Sequence, residues 1–185
     1  MENERPSILK PAMTYGVIIA VVMIILAVIV WISGLESAQW FQWINWAAYF
    51  GVLYYCLKNW RDHYLGGYIR YGKAVSAGIL FMFFASIIYG FYNVIYLTWL
   101  DPEAVDRMMD LMEEVYYKQG LSDEDVNLAM SWFGKMKSPG MQFFSIIFGT
   151  TLLGVILSLI VAFFVRKEGD PFRQAMSEIE KSDEE

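Results

Sequence analysis

Only 18 % of the 185 residues are charged, and the chain holds one cysteine and one histidine. The single Cys56 excludes an intrachain disulfide and leaves the redox compartment unreadable from cysteine usage. The single His63 excludes haem ligation by a histidine pair. It also falls in a basic loop, away from any membrane serine that would need a base. Glycine-rich phosphate loops, paired membrane aspartates and metal-ligand clusters are missing, and so are ionisable side chains at membrane depth of the kind that ion-coupled carriers use. These gaps argue against an enzyme, and they imply no cofactor and no metal.

What the chain has in place of charge is apolar length. It is 57 % hydrophobic and 17 % aromatic, with the apolar residues gathered into blocks near 12–33, 40–57, 74–98 and 141–165. A helix crosses a hydrocarbon core of roughly 30 Å with about 20 apolar residues, and lipid forces each segment to bond its own backbone. The expected fold class is therefore an all-α membrane protein with four transmembrane helices in one integral domain. The first block runs longer than the h-region of a secretory signal and is followed by no clean cleavage site, so it reads as a span.

Basic residues then orient the spans. Arg5 and Lys10 precede the first, Lys58, Arg61, Arg70 and Lys73 lie between the second and third, and Arg166, Lys167, Arg173 and Lys181 follow the fourth. The positive-inside rule makes both termini and the middle loop cytoplasmic. Trp31, Trp40, Trp43, Trp46 and Trp99 independently map to the outer ends of the first three spans, where indoles prefer the headgroup level. Bases and aromatics interleave from Lys58 to Lys73, a mix that fits anchoring to a lipid bilayer better than contact with nucleic acid. The acidic tail, 166–185, reads as a short solubilising end.

Between the third and fourth spans, about 102–137, the chain turns polar but stays patterned. Asp101 is a candidate N-cap with Pro102 at the first helical position, and Val105, Met108, Met112 and Val115 recur at helical spacing until Gly120. Ser122 and Asp125 form a capping-box variant, after which Val126, Ala129, Met130, Phe133 and Met136 share a face. An extracytoplasmic amphipathic helical hairpin is expected. Its net negative charge argues against lying on anionic lipid and for packing on itself or on a protein partner. Val105, Met108, Met112, Phe133 and Met136 are the candidate partner-binding residues. Thioethers at the spacing of Met108, Met109 and Met112 can bind copper(I), but flexible apolar filling is the plainer reading.

Within the spans, Thr150, Gly154, Ser158 and Ala162 repeat every four residues, and Gly78 and Gly90 offer small faces on the third span. Such residues let helices approach closely, either inside one chain or across a homo-oligomer. Asn45 and Asn93 are the most polar groups at span depth, and tyrosines surround them in sequence. Two functions fit. One is a non-enzymatic scaffold or accessory subunit that presents the hairpin to a protein; the other is a small carrier or channel for a lipid or uncharged solute, lined by Asn45, Asn93, Thr150 and Ser158.

Tyr71-Gly72-Lys73-Ala74 opening the third span, Asp101-Pro102-Glu103 after it, the Gly120-Leu121-Ser122-Asp123-Glu124 turn, and Gly154 with Ser158 to Ala162 before Arg166-Lys167 together carry a resemblance. In these motifs the chain resembles the bacterial inner-membrane family catalogued as domain of unknown function 4199. The resemblance implies a four-helix protein of a Gram-negative inner membrane and brings no catalytic residues with it.

Overall fold

The computed structural model describes residues 8–34, 39–135 and 137–167. Six helices are present among them: α1 (Leu9–Ser33), α2 (Gln39–Tyr64), α3 (Tyr71–Ile95), α4 (Ala104–Lys118), α5 (Asp123–Lys135) and α6 (Pro139–Val165). The last turn of α3 widens into a π-helical segment, Tyr96–Leu100, closed by the Asp101 amide on the Tyr96 carbonyl at 2.8 Å. Three helical stretches, Leu9–Ser33, Tyr71–Leu100 and Pro139–Val165, are long and apolar enough to cross a membrane. Four spans are expected from the sequence. The helix that falls short, α2, has 26 residues but ends in Lys58, Arg61, Asp62 and His63, and carries Gln42 and Asn45 in its other half.

Helix α3 is the centre of the bundle, with α6 packed along one side and α1 along another, while α2 closes the square against α6 and α1. Small residues make the α3–α6 seam close. Gly154 lies under Met82, and Gly78 faces Ser158, whose Oγ would stand 2.5 Å from a Cβ at that glycine. Ser86 Oγ adds a 3.2 Å contact to Thr151 Oγ1 across the seam.

Burial is not even along the bundle. In α1 the buried residues stop at Met23, and in α2 Leu53, Cys56, Leu57 and Trp60 are buried toward its carboxyl end. The matching layer comes from Ala74 to Phe81 on α3 and from Leu157 to Val165 on α6. That end is also tied by polar contacts. Ile69 and Lys167 exchange backbone hydrogen bonds at 2.9 and 3.1 Å, Arg61 Nη1 donates to the Val165 carbonyl at 2.9 Å, and the Tyr15 hydroxyl donates to Asn59 Oδ1 at 2.7 Å. At the opposite end, toward α4 and α5, α3 and α6 stay close at Gly90 and Phe143, and two cavities open on either side of α3.

The helix hairpin occupies that open end. Gly120, at φ 80°, terminates α4, and the Leu121 amide reaches back to the Tyr116 carbonyl at 3.2 Å. Ser122 Oγ accepts from the Asp125 amide at 3.3 Å, which is the first half of a capping box, but the Asp125 carboxylate takes the Ser122 hydroxyl at 2.7 Å where a capping box would have it take the Ser122 backbone amide. The start of α4 differs from expectation. The helix begins at Ala104, with Glu103 at its N-cap position and no side-chain cap from it, while the Asp101 carboxylate, which the Ala104 amide also reaches, is engaged by Arg107 and by the Tyr96 hydroxyl. The Arg107 hydrogen bond, with its charge, holds the Asp101 carboxyl below the ordinary carboxylate range.

Candidate functional site: two cavities that meet at Asn93

Where the bundle opens, two cavities form on either side of α3, and Asn93 lines both. The larger, about 340 Å³, is a chamber roofed by the hairpin. Asn93 and Leu97 come from α3, Ala104, Val105, Met108, Met109 and Met112 from α4, Phe133 from α5, and Gln142, Ser145 and Ile146 from α6. Among the described residues, none that lines it is ionisable. Its volume lies within the range of small-molecule sites, which are largely apolar with a few placed polar groups.

Local sequence explains how each wall is set. Val105, Met109 and Met112 turn toward the bundle because they repeat at helical spacing opposite Arg107, Glu114 and Lys118. The π-helical turn shifts Leu97 by a fraction of a turn relative to an uninterrupted α3. Such insertions are common at functional sites. Ser138 caps α6 by accepting from the Met141 amide at 3.3 Å, and Gln142 Nε2 donates to the Lys137 carbonyl at 3.2 Å. An ion pair of Lys137 with Asp106 ties the start of α6 to α4.

The smaller cavity, about 200 Å³, is aromatic. Ala27, Val30 and Trp31 of α1, Asn45 and Tyr49 of α2, and Tyr89, Tyr92, Asn93 and Tyr96 of α3 surround it. Tyr89, Tyr92 and Tyr96 stack in sequence, with ring centroids 5.9 and 6.2 Å apart, and Trp31 meets Tyr96 edge-on at 6.1 Å. Asn93 Nδ2 is bound to the Tyr89 carbonyl at 2.8 Å.

The residues singled out from sequence divide among three places. Val105, Met108, Met112 and Phe133 gather on the chamber, and Met136 lies outside the described residues. Asn45 and Asn93 share the aromatic cavity. Thr150 and Ser158 line neither cavity, and Ser158 is fully buried in the α3–α6 seam with Gly154 and Ala162. Gly90 faces Phe143, 3.0 Å from a Cβ placed there. Gln142, Leu97 and Ser145 were not foreseen, because a polar residue near the start of a span carries no periodic signal.

A family model described as "Protein of unknown function (DUF4199)" matches residues 14–167, which is most of the chain. No curated protein and no solved structure matches it.

Proposed function

The chain belongs to the DUF4199 family, and from that premise we propose that it is a non-enzymatic transmembrane protein that binds an uncharged, largely apolar ligand in the chamber beneath its hairpin. The observation that carries this reading is the inward turn of Val105, Met109, Met112 and Phe133 onto a cavity of about 340 Å³ with no ionisable residue among the described residues of its wall. In this reading α2 is a fourth span. No charge interrupts it from Gln39 to Leu57, and Trp43, Trp46 and Tyr55 are exposed on its surface, as lipid contact requires. The basic residues at the tied end make that end cytoplasmic and put the hairpin on the periplasmic side of an inner membrane.

A scaffold role is the second reading, and a separate observation favours it. Leu111, Val115, Leu128 and Trp132 remain exposed on the hairpin, and Met108, one of the residues expected to bind a partner, is exposed beside Leu111 and Val115 on α4. One experiment separates the two. The tagged protein is purified from its host membrane, and the bound lipids, small molecules and proteins are identified by mass spectrometry. Ala104→Phe fills the chamber from the first turn of α4. A bound small molecule lost in Ala104→Phe supports the chamber. A stoichiometric protein that survives Ala104→Phe but is lost on deleting 102–137 supports the scaffold.

A further inference from the structure

Each cavity is lined by a residue with one polar atom that the protein leaves unanswered. Gln142 lines the chamber and Asn45 the aromatic cavity; Gln142 Oε1 and Asn45 Oδ1 are buried with no hydrogen-bond partner, and a ligand in the chamber meets Gln142 Oε1 once the side-chain amide turns toward it. Native proteins keep few such atoms, because a buried acceptor without a donor forfeits its hydration. Gln142 is the better defined of the two. Its Nε2 donates to the Lys137 carbonyl at 3.2 Å and its backbone amide to the Ser138 carbonyl at 3.0 Å, which sets the side chain beside the start of α6. The amide nitrogen is thereby spent and the oxygen is left over.

The rest of the chamber limits what can answer it. With no ionisable residue among the described residues that line it, a charged group inside would be desolvated without a counter-ion. Asp106 and Asp101, the nearest acids on the hairpin's α3–α4 side, are already engaged by Lys137 and Arg107. At about 30 Å³ for each water-sized group, 340 Å³ holds a body of about eleven heavy atoms. Met108, Met112 and Phe133 offer such a body a deformable apolar wall.

We infer that the chamber takes an uncharged amphiphile bearing a hydroxyl or N–H donor, which Gln142 Oε1 accepts while the apolar body lies against Met112 and Phe133. This inference rests on the reading of the chamber as a ligand site and adds to it the class of ligand. A wholly apolar ligand, or one with acceptors only, would leave Gln142 unpaired, so selection follows the donor.

An isomer pair tests it. The full-length protein in lipid nanodiscs is titrated with 1-decanol and with nonyl methyl ether, which has the same atoms and can accept but cannot donate a hydrogen bond. Thermal unfolding is followed at matched bilayer concentrations of the two. The alcohol is expected to raise the midpoint at about tenfold lower concentration than the ether. Gln142→Met, which keeps length and removes the oxygen, is expected to bring the two together. Equal potency on the wild-type chain overturns the donor inference and leaves the chamber a ligand site, whereas no shift with either compound overturns the ligand-site reading itself. An alcohol preference that survives Gln142→Met overturns the role of Gln142. Should that variant fail to fold, decanol carrying a mid-chain diazirine is cross-linked to the wild-type protein. Labelling of Met108, Met112 or Phe133 that decanol displaces and the ether does not is expected, and labelling confined to lipid-facing positions of α1 and α6 is the contrary result.

Discussion

Two glycines on α6 should respond oppositely to the same methyl group. A Cβ on Gly154 would stand 2.8 Å from Met82 Cγ and overlap Met82 Cβ, an atom fixed to the α3 backbone, so the helices must move apart. A Cβ on Gly149, between one and two turns earlier, meets nothing within 4 Å. Replacing glycine by alanine inside a helix gains roughly 0.5–1 kcal/mol from backbone entropy, and that gain is common to both sites. Only Gly154→Ala adds overpacking, at about 1–3 kcal/mol. The difference between the variants isolates the steric part, because the helix term cancels. Gly149→Ala is therefore expected to be slightly stabilised, and Gly154→Ala to fall about 1–3 kcal/mol below it.

Reversible unfolding in mixed micelles, with the denaturing detergent fraction raised stepwise, measures both. If the two variants agree within about 0.5 kcal/mol, Gly154 does not face Met82 and the close α3–α6 seam is wrong. Protein concentration supplies a second check. A contact within one chain gives the same Gly154→Ala deficit at every dilution, whereas a contact between copies makes it grow as the protein is diluted.

Other variants probe the remaining seams. Ser158 Oγ is buried without a partner, so Ser158→Ala is expected to raise stability by about 1 kcal/mol in the same assay, and a loss would mean that the hydroxyl has a partner. Ser86 Oγ donates to the Phe83 carbonyl at 2.7 Å and contacts Thr151, so Ser86→Ala should cost about 0.6 kcal/mol and no more than about 1.7. Asp101 predicts a pH dependence. Its folded pKa is lowered from an ordinary 3.8, so its contribution is complete above that value and is lost as pH falls through the lowered one. Hydrogen-exchange protection in the first turns of α4, taken relative to the intrinsic exchange rate at each pH, should therefore fall at the acid end in the wild-type chain and change less across the same pH step in Asp101→Asn. A reporter fused after residue 120 should be periplasmic, and a cytoplasmic signal there would reverse the assigned sides.

The contrast between what was readable in the chain and what was not follows from the physics of each signal. Long apolar blocks exist because lipid demands them, so α1, α3 and α6 stand out in sequence at nearly their full length. The hairpin is legible for a different reason, since Ser122, Asp125 and Gly120 act on their immediate neighbours. Asp101 defeats the same logic. Its carboxylate is shared among Arg107, six residues on and one turn into α4, Tyr96 behind it and the Ala104 amide, and a local capping rule does not weigh the first two.

Cavities are harder still, because a cavity is a failure of helices to meet and has no residue pattern of its own. Asn45 and Asn93 could be picked out as polar groups at depth, but their convergence depends on how α2 leans on α1 and α3. Thr150 and Ser158 look equally polar in sequence and were grouped with them, yet the close approach of α3 at Gly78 carries Ser158 into a dry seam. Gln142 went unremarked because one amide among Met141, Phe143 and Phe144 reads as the edge of a span. Its meaning comes from three facts at once: the Lys137 carbonyl takes its nitrogen, the Ser138 cap starts its helix, and its oxygen is buried beside the chamber that the hairpin roofs. A hairpin serving only as a lid could have covered the bundle end with close-packed side chains. This one encloses a chamber lined by Asn93, Gln142 and Ser145 among apolar side chains, with the unpartnered Gln142 Oε1 buried at its edge, and that combination is what makes its floor, more than its outer face, the place to look for function.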